Sequence, residues 1–120
     1  MIKCKIIEDN LNPILPNILN LRKEIHQNPE LGYQEFKTTG LIVEFLKNLG
    51  ITVETKYSKT GAVGLLKVPG AVKTLAIRAD IDALPVQEET GAHFASKNDG
   101  VMHACGHDVH TAVVMGVANL

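Results

Sequence analysis

The sequence predicts a layered α/β domain, and three observations carry that expectation. Apolar residues recur at helical spacing near the start, alternate at strand spacing in the middle, and return to helical spacing after residue 108. Hydrophobic residues make up 45% of the chain but aromatics only 4%, so the core must be built from Leu, Ile, Val and Ala. At 120 residues the chain fits one domain, residues 1–120, large enough to bury such a core.

The elements follow in order. A first helix is expected to start after Pro13 or Pro16, with Ile14, Leu15, Ile18, Leu19, the stem of Arg22 and Ile25 at helical spacing. It should stop near Asn28, because Pro29 disfavours the helical conformation in the residue before it. Pro29 to Gly32 is a loop. A second helix runs from about Tyr33 to Leu49, with Phe36, Ile42, Phe45, Leu46 and Leu49 as its buried stripe and Gly50 as its stop. Ile51 to Tyr57 then alternates as a half-exposed strand, Ser58 to Gly61 turns, and Ala62 to Val68 is a second strand ended by Pro69-Gly70. Together they suggest a hairpin with a loop of about four residues.

Thr74 to Ala79 is more continuously apolar and reads as a central strand. Asp80 to Asp99 is mostly irregular, with a short strand near Ala92 to Ala95 and a turn at Asn98-Asp99-Gly100. A last helix is expected from about Asp108, with Val109, Val113, Gly116, Val117 and Leu120 on one side. Its small pair Ala112 and Gly116 would let it lie close against a sheet. No stop signal follows it, so the chain is expected to be a segment of a larger sheet domain.

Charge and composition exclude several classes of function. Twelve basic residues against thirteen acidic ones leave a net charge of −1, with no basic stripe for nucleic acid. The apolar runs are too short to span a bilayer. The stretch Met1 to Asp9 lacks a long apolar core and turns acidic, which is unlike a signal peptide and points to the cytoplasm. In that context Cys4 and Cys105 are read as reduced thiols.

Chemistry concentrates in His103-Ala104-Cys105-Gly106-His107-Asp108-Val109-His110. Thiolate and imidazole suit zinc, nickel, cobalt or iron. In an extended segment Cys105 and His107, two apart, would face the same way, and Gly106 permits a tight backbone between them. His107 and His110, three apart, can share a helical face, while Asp108 stands where it could cap the helix or hold a ligating imidazole. Packing and capping are the competing account of each residue taken singly. A closed structural zinc site would need a second ligand pair, which the sequence lacks.

A second stretch, Arg78-Ala79-Asp80-Ile81-Asp82, puts two carboxylates beyond an apolar strand, where functional groups of α/β sheets gather. The competing account is a loop of solvated acids, one bonded to Arg78. In a third, His26 closes a helix before Asn28-Pro29-Glu30, and a histidine in a last turn complements the helix dipole. His26 is read as structural.

Leu21 to Gly32 with Glu35, Ile77 to Val86, and Met102 to Ala112 together resemble the three opening motifs of the M20 peptidase family, in order and at the usual spacing. The resemblance runs from Leu21 to the end. It is closest to the branch of hippurate hydrolases, N-acyl-amino-acid amidohydrolases and N-acetyldiaminopimelate deacetylases, of which Cys-Gly-His-Asp is characteristic. It implies the N-terminal part of a catalytic domain with a central mixed sheet flanked by helices, the lid domain being absent from this stretch. It implies two divalent metal ions in the full-length parent (Zn, Mn, Ni or Co) that activate a water against an amide carbonyl. By the motif match Cys105 and His107 are metal ligands and Asp82 supports them; Asp108, from its place at the helix start, is a second supporting carboxylate, and His103, His110 and Asp80 are further candidates from the clusters above.

The substrate implied is a small N-acyl amino acid or peptide, and the lid would offer a surface for homo-oligomers. The family's general base is a glutamate of a later Glu-Glu pair, beyond residue 120. Glu88-Glu89 precedes the Cys-Gly-His-Asp motif and is not given that role. The chain alone is expected to be inactive and to hold at most one metal ion weakly. Two other classes compete: a hydrolase with Cys105 as nucleophile activated by His107 or His110, and a non-catalytic fragment or interaction module.

Overall fold

The computed structural model describes residues 2–120 and bears out the α/β class, with three helices and a small two-stranded antiparallel sheet that packs on the second of them. Helix α1 spans Ile2–Gln27, α2 spans Phe36–Asn48, strands β1 and β2 span Thr52–Glu54 and Val63–Leu65, and α3 spans His107–Asn119. Among the described residues no helix is long and apolar enough to cross a membrane.

Helix α1 starts earlier than expected and carries Pro13 and Pro16 in its interior. Each proline removes a hydrogen bond to the carbonyl four residues back, at Asp9 and Asn12. Both of those residues are exposed, so their carbonyls are open to solvent in place of the lost donors, and the helix continues. Its C-terminus follows the expectation: Asn28 donates from its backbone to Ile25 O at 3.1 Å and from Nδ2 to Glu24 O at 2.7 Å, ending the helix before Pro29.

Helix α2 begins later than expected because Tyr33 sits at φ 62, outside the helical region. The Glu30 carboxylate then meets its first turn, accepting from the backbone N–H of Lys37 at 2.9 Å and of Thr38 at 2.8 Å. An anion at the positive end of a helix satisfies donors that have no intrahelical partner. Of the expected stripe, Ile42 and Leu46 are buried and Phe45 and Leu49 packed beside them, but Phe36 in the first turn is exposed.

The hairpin forms with Thr52 opposite Leu65, Val53 opposite Gly64 and Glu54 opposite Val63, shorter than expected and with a longer loop, residues 55–62. Gly64 is where it meets α2: a Cβ there would approach Leu46 Cδ1 at 3.1 Å and Ile51 Cγ2 at 3.3 Å. Thr74 to Ala79 is not a strand. Among the described residues no neighbouring strand lies beside it to accept its backbone hydrogen bonds, and Val72 and Leu75 stand 94% and 85% exposed. Ala92 to Ala95 is a turn, closed by Ala95 N–H donating to Ala92 O at 2.9 Å.

The core lies where α3 packs against α1 and α2, through Ala112 and Met115 with Ile18, Leu21 and Ile25 on α1 and Ile42 and Leu46 on α2. Burying each of these larger side chains contributes about 1.5–3 kcal/mol. The buried face of α3 is Asp108, Thr111, Ala112, Met115 and Gly116; of the side expected from the sequence only Gly116 is buried, while Val109, Val113, Val117 and Leu120 are exposed. Ala112 and Gly116 do permit close approach, but to a helix: a Cβ on Gly116 would lie 3.9 Å from Ile18. A polar bond decides the rotation, because α3 turns the Asp108 side toward Arg22 and His26 on α1.

Candidate metal centre

Backbone bridges bring the three motif stretches together. Ala83 N–H donates to Glu30 O at 2.8 Å, tying the second stretch to the first. Leu84 and Met102 exchange N–H to O bonds at 2.9 and 3.0 Å, tying the second to the third. Thr111 Oγ1 donates to Asp80 O at 3.3 Å from within α3.

At this junction Asp82 faces His107. The His107 Nδ1 lies 3.0 Å from Asp82 Oδ1 and 3.0 Å from the Asp82 carbonyl oxygen. Both partners are acceptors, so Nδ1 carries the proton and, in the neutral ring, Nε2 carries the lone pair. That carboxylate–imidazole pairing is how ligating histidines are oriented.

Cys105 is a free, exposed thiol. It sits in a turn closed by Gly106 N–H donating to His103 O at 3.2 Å, and Gly106 takes the left-handed conformation at φ 87. The segment is therefore not extended, and strand-like alternation does not govern how Cys105 and His107 face each other. Left-handed backbone at Gly106 strains any residue with a Cβ.

The other candidates separate. Asp80 is exposed and its carboxylate is engaged by Arg78 Nη2 at 2.6 Å, as one reading of that loop expected. The exposed His110 lies beside His107, with ring centroids 5.9 Å apart. His103 is turned inward, 4% exposed and 6.3 Å from the His26 ring. Both His103 nitrogens and Asp108 Oδ1 are buried without a hydrogen-bond partner. Burial holds the His103 imidazole below its ordinary range, and the nearby Asp108 carboxylate offsets this only in part.

Asp108 does not cap α3. It is 1% exposed and accepts from Arg22 Nε at 2.7 Å, and its Oδ2 lies 2.8 Å from His26 Nδ1. His26 Nε2 faces Glu88 Oε1 at 3.2 Å. Arg22 also lies over the Phe94 ring, 4.5 Å from its centroid. The sequence reading missed Arg22 and Glu88 in this network. The available signal was the i, i+4 spacing of Arg22 and His26 on one helix face.

Burial pushes the Glu88 carboxyl up, but hydrogen bonds from Thr90, the Ser96 N–H and His26 outweigh it and leave it below its usual 4.5. A carboxyl with a depressed folded pKa contributes stability that is present above the unfolded value and lost as pH falls through the folded one. Glu88→Gln is therefore expected to flatten the loss of stability below about pH 4.5. Urea unfolding at pH 7 and at pH 3.5 checks this; an unchanged difference between the two pH values would contradict it.

The donors present fit a metal in part. His107 offers an oriented imidazole and Cys105 an accessible thiol, both of a type that binds zinc and its neighbours. Among the described residues no group of three or more His, Cys, Asp or Glu is gathered for a metal ion.

Comparison with known proteins follows the same lines. Residues 76–120 match the sequence profile of peptidase family M20/M25/M40. An N-acetyl-L-cysteine deacetylase of Bacillus subtilis (strain 168) is 44% identical over 111 residues, covering 92% of this chain and 27% of that protein. An N-acetyldiaminopimelate deacetylase of Bacillus cytotoxicus is 44% identical over 104 residues, covering 86% of this chain and 28% of that protein. The Bacillus subtilis YXEP protein, described as a dinuclear metal binding peptidase from the M20 family, superposes with a TM-score of 0.86 at 44% identity, over 90% of this chain and 31% of that one. The chain spans under a third of the length of these relatives.

Proposed function

The chain belongs, over the stretch it spans, to the M20 peptidase family, and on that premise we propose that it supplies part of the metal site of a hydrolase that cleaves the amide bond of N-acyl amino acids or small peptides. The observation that carries this reading is the Asp82–His107 pair, which leaves the imidazole Nε2 as a directed donor two residues from the exposed Cys105 thiol. A bound divalent ion would supply Lewis acidity toward an amide carbonyl and a water activated at neutral pH. On this reading His107 and Cys105 hold one ion of a pair of Zn, Mn, Ni or Co, and Asp82 keeps the His107 proton on Nδ1. Asp108 holds the first turn of α3 against α1. His103, His110 and Asp80 remain lesser candidates.

The reading carries further expectations for the whole protein. The base is a glutamate outside these residues, oligomers form through a lid domain, and the protein works in the cytoplasm without nucleic-acid or membrane partners. Nucleophilic attack by Cys105 is the competing chemistry.

A chimera tests this reading. Residues 1–120 replace the matching part of the Bacillus subtilis N-acetyl-L-cysteine deacetylase, with which 44% identity over 111 residues makes a folded hybrid feasible. The chimera should hydrolyse N-acetyl-L-cysteine, lose activity to a chelator, and lose it on His107→Ala. Activity that survives the chelator but not Cys105→Ala would establish the nucleophile instead. The 120-residue chain alone should turn over no faster than a metal-only control.

A further inference from the structure

Helix α3 starts without a side-chain cap, since its N-cap is Gly106. An aspartate in a first turn ordinarily interacts with the unpaired N–H groups there. Asp108 instead points into α1, where Arg22 Nε meets Oδ2 at 2.7 Å and His26 Nδ1 meets the same oxygen at 2.8 Å. These two partners are themselves held in place. His26 is faced on its other side by Glu88 at 3.2 Å, and the Arg22 guanidinium lies 4.5 Å over the Phe94 ring.

His107 and Asp108 are consecutive residues of a helix, so their side chains diverge by about 100°. One is anchored to Asp82 and the other to α1. With no cap to contribute, these two anchors set the rotation of the first turn, and one turn later Thr111 Oγ1 holds the same side as His107 to Asp80 O at 3.3 Å.

We propose that Arg22 is a positioning residue for the imidazole of His107, acting through Asp108; the inference rests on the metal-ligand reading above. Loss of Arg22 leaves Asp108 with His26 as its one remaining partner on α1, so the first turn of α3 is held less tightly and is freer to rotate or fray. His107 Nδ1 then moves off Asp82, and the ring loses both its fixed tautomer and the direction of its Nε2 lone pair. Outer partners that orient a ligating histidine affect metal affinity by about 10–100-fold.

The test uses the reduced 120-residue chain and two readouts. Cobalt(II) is titrated in, with binding followed through the thiolate-to-metal charge-transfer band. The His107 tautomer is read from imidazole nitrogen NMR signals of the metal-free protein. Arg22→Met is expected to weaken cobalt binding about tenfold or more and to shift the His107 signals toward a tautomer mixture. Arg22→Lys, which keeps a donor, should recover most of both.

A purely structural staple would lower the melting temperature of Arg22→Met and leave both readouts unchanged in the folded protein, and that result overturns the proposal. If Arg22→Met does not fold, His26→Asn decides by the same readouts: weaker cobalt binding and a tautomer mixture support the proposal, and unchanged values overturn it. A parent chain with no thiolate band would sink the metal-ligand reading and this inference with it. A parent with the band, matched by Arg22→Met, would sink only the positioning role.

Discussion

Asp108→Ala is expected to lower the stability of the chain by about 3–5 kcal/mol, the size of effect seen when one partner of a buried ion pair is removed. Asp108 is 1% exposed and joins α3 to both Arg22 and His26 of α1. Without it, His26 Nδ1 and the half-buried Arg22 Nε lose their acceptor, while His26 Nε2 keeps Glu88, and the desolvation left uncompensated is the larger part of the loss. Domains of this kind have only about 5–15 kcal/mol in total, so a large share of the α1–α3 packing depends on one carboxylate. Asp108→Asn keeps an acceptor oxygen of the same shape and should lose less than the alanine variant. Urea titration of both variants checks this. A loss below about 1 kcal/mol for Asp108→Ala, within the range of an exposed pair, would show that the pair is of surface type despite its burial.

Cys105→Ser is expected to remove metal binding by this chain altogether. Two donors, Cys105 and His107, leave at least two positions of a four-coordinate ion to water or to weaker neighbours. Structural zinc sites with four protein ligands reach about 10–16 kcal/mol, and half that donor set should fall well short. The thiolate is the stronger of the two donors for a soft or borderline ion, so its replacement by a hydroxyl removes most of what is left. Each donor must also shed its proton, so binding should weaken as pH falls. Calorimetry with zinc on the reduced protein should find at most one weakly held ion, undetectable in Cys105→Ser. Two tightly bound ions, or heats unchanged by the substitution, would place the site elsewhere.

Much of the candidate site is legible in the residue order because its chemistry is local. The Cys-Gly-His-Asp run declares its donor types within four positions, and Asp82 is marked by its place beyond an apolar segment. The bond between Asp82 and His107 spans 25 positions and was expected only as proximity. Helical spacing marks only the apolar stem of Arg22, because it reports which face a residue occupies, not which charge meets it from across the fold. The partner of Arg22 lies 86 positions away. Glu88 stands outside the motif that would make it a base, and its oxygens are taken up by His26, Thr90 and the Ser96 N–H.

The residue pattern alone determined the α/β class, the stop of α1 at Pro29, the existence of α2, the hairpin and α3, and the grouping of the chemistry into three stretches. These follow from periodicity, turn residues and donor type, which act over a few positions along the chain. The tertiary structure decided what depends on distant neighbours. Thr74 to Ala79 has strand composition but no ladder partner among the described residues, and composition cannot supply one. Helix α3 has apolar residues on two sides, Val109, Val113 and Val117 on one and Ala112 and Met115 on the other, so hydrophobicity left its rotation open. The Asp108 bonds to α1 settled it, because a buried carboxylate must find its donors, and only one rotation of the helix brings it to Arg22 and His26.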